Sequence, residues 1–269
     1  MRKINKTDRT EIDNFCEVSI KHRTSANFFS SPEVLYNYAG CGNLYISEST
    51  AGIFVFADAG GFFRLYYVLT DISADIPPEL CGNNIKPVVI ETAYRGNNPP
   101  QSADYFTRHG FERALTRSRM NITVGATLAV APNRAGASSA PTVDINAVLN
   151  LFEDSFDKYT GCIPALSELQ KASEENRVIA ITQDNILCGA LLYENAGSTA
   201  TLSNIAVAAN MRGHGYGGQL VSSWIAICAD AGKSVLRLWV ADNNIPAVKL
   251  YEKHGFKPDG LKSVVMIKK

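Results

Sequence analysis

Arg212-Gly213-His214-Gly215-Tyr216-Gly217-Gly218 places four glycines in seven residues. Without side chains in the way, the backbone N–H groups of such a stretch can turn to one side and approach an anion closely. The stretch lies between an apolar run, Leu202 to Val207, and an amphipathic one, Gln219 to Ala231, which reads as strand, turn and helix start. A helix start adds unpaired N–H groups and partial positive charge, and the combination can cradle a phosphate or diphosphate. The plain alternative is a tight turn without a ligand. The stretch itself contains no Gly-Lys-Ser/Thr, so it is not a Walker loop.

A second block follows, Asn244-x-x-Ala247-x-x-Leu250-Tyr251 and then Gly255-Phe256. With these pieces in this order, residues from about 177 to 260 resemble the GNAT superfamily of acyl-CoA-dependent N-acyltransferases. Arg212-x-x-Gly215-x-Gly217 is similar to that superfamily's pyrophosphate signature, and it follows a strand ending Ile205-Ala206-Val207. The resemblance implies acetyl-CoA as co-substrate, no metal, and an amine of a small molecule or peptide as acceptor. It implies that Arg212, Gly213, His214, Gly215, Tyr216, Gly217 and Gly218 hold the diphosphate. Backbone groups of Ile205 and Val207 would bond the pantetheine arm; their side chains need only be apolar core. Asn244 would contact the same arm, cap the next helix, or do both.

Acyl transfer to an amine needs a neutral nucleophile, a stabilised oxyanion and a protonated leaving thiolate. Tyr251 is placed by the resemblance where the superfamily carries the group that protonates the CoA sulfur, and a phenol suits that task. Its alternative role is packing the helix on the sheet. A strand N–H near Val207 is the implied oxyanion donor. Where some relatives carry a glutamate base, this chain has Thr201 and Trp239. Glu194 and Asp242 are the nearest carboxylates in sequence; water or an amine arriving neutral would also serve. His254 can titrate near neutrality, but its counterpart His109, introduced below, points to a structural role for both. Ser203 and Asn204 face either the acceptor or the core. The non-catalytic alternative is an acyl-CoA-binding sensor or scaffold.

A chain of 269 residues, 46% hydrophobic, suits two domains. The expected fold is α+β, with two GNAT-like domains, each a mixed, mostly antiparallel sheet flanked by helices. Twenty-six basic and 26 acidic side chains cancel, so no overall field draws the chain to nucleic acid or membrane. Met1 to Lys21 is charged throughout and has no apolar core, so no signal peptide is expected. The six cysteines lack C-x-x-C spacing; free, mostly buried thiols in the cytoplasm are expected. A monomer or a homodimer would fit.

In the first half, a helix is expected over Asp8–Phe29, strands over 43–47, 52–57, 62–69 and 86–93, and a short helix over 102–108. Tyr105-Phe106-Thr107-Arg108-His109-Gly110-Phe111 lines up with Leu250-Tyr251-Glu252-Lys253-His254-Gly255-Phe256, which indicates an internal repeat. The first copy lacks R-x-x-G-x-G and has Phe106 where Tyr251 stands, so it is expected to be degenerate and to bind no CoA. Asn121 to Val130 reads as its closing strand. The divisions are 1–130 for the degenerate domain, 131–141 for a small, polar, proline-bracketed linker, and 142–269 for the acyltransferase domain. There, helices are expected over 143–156 and 164–173, a hairpin over 178–193, a strand over 201–207 and another over 235–240.

Overall fold

The computed structural model describes residues 1–28, 30–81, 86–124, 137–138 and 144–269. In chain order the elements are β1 (Arg2–Ile4), α1 (Arg9–Lys21), α2 (Glu33–Gly40), β2 (Leu44–Ser49), β3 (Gly52–Asp58), β4 (Phe63–Leu69), β5 (Val88–Arg95), α3 (Gln101–Arg108) and β6 (Glu112–Thr123). Then come β7 (Ala137–Ser138), α4 (Ile145–Ser155), α5 (Leu166–Glu174), β8 (Val178–Gln183), β9 (Ile186–Ala196) and β10 (Thr199–Val207). The last four are α6 (Tyr216–Asp230), β11 (Val235–Ala241), α7 (Ile245–Lys253) and β12 (Lys257–Lys268). The helix expected to reach Phe29 stops at Lys21, and α2 was not expected.

The chain forms two compact units, Met1–Thr116 with Leu261–Lys269, and Arg117–Gly260. This differs from the division expected near residues 130 and 142. In the first unit, β1 to β5 are neighbours in order and β12 pairs antiparallel with β5, Lys268 opposite Val88. In the second, residues 117–123 of β6 pair antiparallel with β11, Thr123 opposite Val235, followed by β10, β9, β8 and β7. Each sheet is completed by a strand from the other half of the sequence. The expected linker lies outside the described residues except for Ala137–Ser138, which pair with β8.

Both sheets are mixed and mostly antiparallel, and helices cover them. In the second unit Leu236, Leu238 and Val240 of β11 are buried against α6, in a core with Leu220, Trp224 and Cys228. Strand alternation therefore turns Arg237 and Trp239 to the opposite face. There α4 and α5 cover only β8, β9 and the end of β10, through Val148, Phe152, Leu169, Ala180, Leu192 and Ala206.

The repeat is visible in hydrogen bonding. At the end of α3, the N–H groups of His109 and Phe111 both donate to the Phe106 carbonyl; at the end of α7, those of His254 and Phe256 both donate to Tyr251. Gly110 and Gly255 follow with φ of 84° and 87°. His109 Nδ1 lies 2.8 Å from the Tyr105 carbonyl, and His254 Nδ1 lies 2.8 Å from that of Leu250.

Each unit also has one parallel strand pair that parts early. In the first, β4 and β5 pair only through Phe63–Val88 and Arg64–Val89. Past that point the chain fills the gap itself. Ala26 bridges Val68, the Leu69 N–H donates to Ser25 and the Asn27 N–H to Tyr67. The Asn27 amide donates to the carbonyls of Leu65 and Glu91, at 3.0 and 3.2 Å, and accepts from the Tyr67 N–H at 2.7 Å. One side chain thus satisfies backbone groups of both diverging strands.

No helix among the described residues is long and apolar enough to cross a membrane, and no group of three or more metal-ligating side chains is found among them. None of the six cysteines, all of them described residues, is in a disulfide. Cys16, Cys188 and Cys228 are buried but Cys41, Cys81 and Cys162 are exposed, which corrects the expectation of mostly buried thiols. The exposed three sit in loops or at a helix end, where no sheet covers them.

Asn27→Ala is expected to lower stability by about 2–4 kcal/mol, since it strands several enclosed backbone groups. Denaturant unfolding with circular dichroism measures it; a loss under about 0.5 kcal/mol contradicts the plug.

Candidate functional site

The glycine-rich stretch forms the turn between β10 and α6. Gly213 and Gly215 have φ of 82° and 84°, a region that costs a residue with a Cβ about 1–2 kcal/mol. Gly215 is the N-cap of α6, without a side-chain cap and with no acidic residue in the first turn. The first helical bond runs from the Gln219 N–H to the Gly215 carbonyl. Among the described residues, the N–H groups of Gly213, His214, Gly215, Tyr216, Gly217 and Gly218 have no acceptor. Six consecutive donors at an uncompensated helix N-terminus are a site for an anion. A Cβ added at Gly213 or Gly215 meets nothing within 4 Å, so the turn opens outward. A Cβ added at Gly217 or Gly218 would instead face α7, 3.4 Å from Leu250 and 3.8 Å from His254 respectively.

Flanking side chains shape the turn. Arg212 Nε donates to the Val207 carbonyl at 3.2 Å, tying the turn to the strand. His214 Nδ1 lies 3.0 Å from the Arg212 carbonyl, and the Tyr216 hydroxyl donates to Gln183 at 2.6 Å.

The strand that feeds the turn is broken by a bulge. The β9–β10 register shifts between Leu202 and Asn204, leaving Ser203 exposed. Before the bulge, Ala200 and Leu202 join the α6 core; after it, Ala206 joins the α4–α5 core. The extra residue re-aims the side chains. Pairing of β10 with β11 ends at Leu202–Leu238, although β10 runs to Val207 and β11 to Ala241. Ile205 and Val207 therefore lie on a strand segment with β9 on one side and no paired strand on the other, among the described residues.

Asn244 caps α7, its Oδ1 accepting from the Ala247 N–H at 3.3 Å. Tyr251, one turn from the end of α7, is 3% exposed and its ring packs on Phe256 at 6.1 Å. Its hydroxyl has no hydrogen-bond partner among the described residues. Burial alone pushes the phenol well above its usual range, so it is a neutral donor throughout the physiological window.

The other polar candidates are engaged. His254 Nε2 lies 3.1 Å from the Ser222 hydroxyl. Since a carbonyl only accepts, Nδ1 donates to Leu250, and the Nε2–Ser222 contact ties α7 to α6. Glu194 is held by Arg177 at 2.6 Å. Asp242 accepts from Ser118 at 2.7 Å. Asn204, 3% exposed, donates to the Gly161 carbonyl at 3.0 Å and so holds the loop between α4 and α5 beside β10. Thr201 and Trp239 lie on the face opposite α6. Sequence reading missed their neighbours there, Arg237 on β11 and Arg119 and Asn121 on β6. The alternation of Leu236, Leu238 and Val240 with Val235, Arg237 and Trp239 carried that signal.

Residues 145–256 match the family model of the acetyltransferase (GNAT) family. No curated protein matches by sequence. Among solved structures, the chain is similar to a tandem GNAT protein from the clavulanic acid biosynthesis pathway, with 12% identity, a TM-score of 0.62, and 99% of this chain and 97% of that one covered. It is also similar to a GCN5-related N-acetyltransferase from Sphaerobacter thermophilus, at 15% identity and TM-score 0.59, covering 99% and 94%. A GNAT-family acetyltransferase from Colwellia psychrerythraea aligns at 12% identity and TM-score 0.51, covering 95% and 96%. At these identities the likeness establishes the fold, a tandem GNAT arrangement over nearly the whole chain.

Because folding raises the Tyr251 pKa, its contribution to stability is complete below the ordinary phenol value of about 10 and is lost as pH climbs towards the raised one. Tyrosinate absorbance tests this. Between about pH 9 and 11 the folded Tyr251→Phe variant is expected to titrate with the same amplitude as wild type; an amplitude smaller by one phenol contradicts the burial argument.

Proposed function

We propose, with a GNAT acetyltransferase domain at residues 145–256 as premise, that this chain moves an acetyl group from acetyl-CoA to a primary amine by direct attack in a ternary complex. One observation carries the reading: six N–H groups at the start of α6 that are unpaired among the described residues adjoin an edge of β10 that no described strand pairs. The first can hold a diphosphate and the second can extend hydrogen bonds to the amides of a pantetheine arm. Arg212 and the turn from Gly213 to Gly218 would grip the diphosphate. Ile205 and Val207 would offer backbone groups to the arm, and Asn244 its remaining amide hydrogens. Several charge-assisted bonds to one ligand suit a donor recognised mainly through its nucleotide end.

The chemistry balances with the residues present. The amine nitrogen attacks the thioester carbon, and a β10 N–H near Val207 stabilises the oxyanion. The C–S bond then breaks, and Tyr251 gives its proton to the leaving sulfur. The nitrogen releases a proton to water, and solvent restores the phenol. Burial that raises the phenol also raises the basicity of a thiolate formed beside it, so the transfer stays matched. Glu194 and Asp242 are held by Arg177 and Ser118, which favours an amine that enters neutral or loses its proton to water.

The same engagement supports a second reading, an acyl-CoA-binding sensor or scaffold without transfer. The first unit is read as degenerate in either case, because Ser25–Asn27 occupies the strand edge a pantetheine arm would need. With 26 charges of each sign, a soluble small-molecule acceptor is favoured over nucleic acid or a membrane surface, as a monomer or homodimer in the cytoplasm.

An amine panel with a free-thiol readout separates the readings. Transfer to at least one amine is expected, with kcat of Tyr251→Phe lowered about 10- to 1,000-fold and CoA affinity within about twofold of wild type. CoA binding without transfer to any amine would favour the sensor. Unchanged turnover in Tyr251→Phe would remove that residue from the mechanism.

A further inference from the structure

The face of the second unit's sheet opposite α6 is covered unevenly. α4 and α5 lie over β8, β9 and the end of β10, whereas β11 and β6 keep partly exposed polar side chains there. Arg237 stands in the middle of this open floor. Its cross-strand neighbours are Thr201 on β10 and Asn121 on β6, and the register sets Trp239 opposite Arg119. It lies one residue before Leu238, where β10 and β11 part.

Arg119 is neutralised. Its Nε and Nη2 meet Asp259 at 2.7 and 2.6 Å, its guanidinium lies 6.0 Å from the Trp239 ring, and Asn121 donates to the same carboxylate at 3.2 Å. Arg237 has no such partner. Its side chain makes no hydrogen bond or ion pair with any described residue, and its Nε is buried and unsatisfied. An enclosed guanidinium nitrogen without an acceptor is costly in a folded protein and marks a place where a ligand supplies one.

We propose that Arg237 binds a carboxylate of the acceptor, so that the substrate class is amines carrying a carboxylate, amino acids in the broad sense. The proposal rests on the acetyltransferase reading and extends it to the acceptor. One unpaired guanidinium matches a planar monoanion in a forked geometry. A dianionic phosphate would leave a charge over, because Arg119 is already spent on Asp259. Set just before the strands part, Arg237 anchors the far end of the acceptor while its amine reaches toward the gap. Arg237 acts on binding and orientation and takes no proton.

Calorimetry on the full chain tests this, with and without saturating CoA. The probes are N-acetylglycine, N-acetyl-β-alanine and N-acetyl-γ-aminobutyrate, each beside its carboxamide. At least one carboxylate is expected to bind about tenfold or more tighter than its carboxamide, the scale of a charge-assisted pair. Arg237→Gln is expected to erase that preference, and Arg237→Lys to keep part of it, with melting temperatures near wild type. Equal affinities in every pair, no binding of any probe, or a preference that survives Arg237→Gln would each overturn the assignment. Loss of the CoA heat, by contrast, overturns the cofactor reading and is scored separately from the carboxylate arms.

Discussion

Backbone hydrogen-bonding groups removed from water must find partners. Much of this protein can be understood from how that requirement is met at two places where parallel strands diverge. When β4 parts from β5, the exposed edges are closed by Ser25, Ala26 and the Asn27 amide. When β10 parts from β11, no described segment closes the edge, and the adjoining turn adds six more donors without acceptors. One copy of the architecture is finished internally; the other is left to be finished by a ligand. A diphosphate and an amide-bearing arm have the acceptors and donors to do it.

The bulge at Ser203 makes the second arrangement possible. It shifts the register with β9, so that Ala206 turns into the α4–α5 core while Ile205 and Val207 pack towards α6. The carbonyl of Val207 is then recruited by Arg212, so the arginine of the turn also fixes the exit angle of the strand. On the helix side, His254 and Ser222 bind α7 to α6. Tyr251, Gly215 and the open edge of β10 are therefore mounted on elements that brace one another. Preorganisation of this kind is what lets weak backbone dipoles act on a bound charge.

The turn was legible because its requirement is local. Gly213 and Gly215 need positive φ, and only glycine meets it cheaply. The repeat was legible for a similar reason, since the His-Gly-Phe helix ends reuse the same hydrogen bonds at 109–111 and 254–256. What was not legible depends on partners distant in sequence. Nothing in the apolar pattern of β6 or β12 says that each joins the other half's sheet. Asn27 looked like the tail of a helix, because its role exists only once β4 and β5 have parted. Arg237 drew no reading from the sequence, because its importance comes from Asp259 pairing with Arg119 instead.

Amide exchange at the turn tests the central claim most directly. The exchange rates of the Gly213 to Gly218 N–H groups are measured by NMR in the free protein and with saturating CoA. The account expects these six to exchange fast when free and to slow by at least about tenfold when CoA is bound, as donors that have gained acceptors do. CoA bound tightly with the six amides exchanging as in the free protein would contradict it.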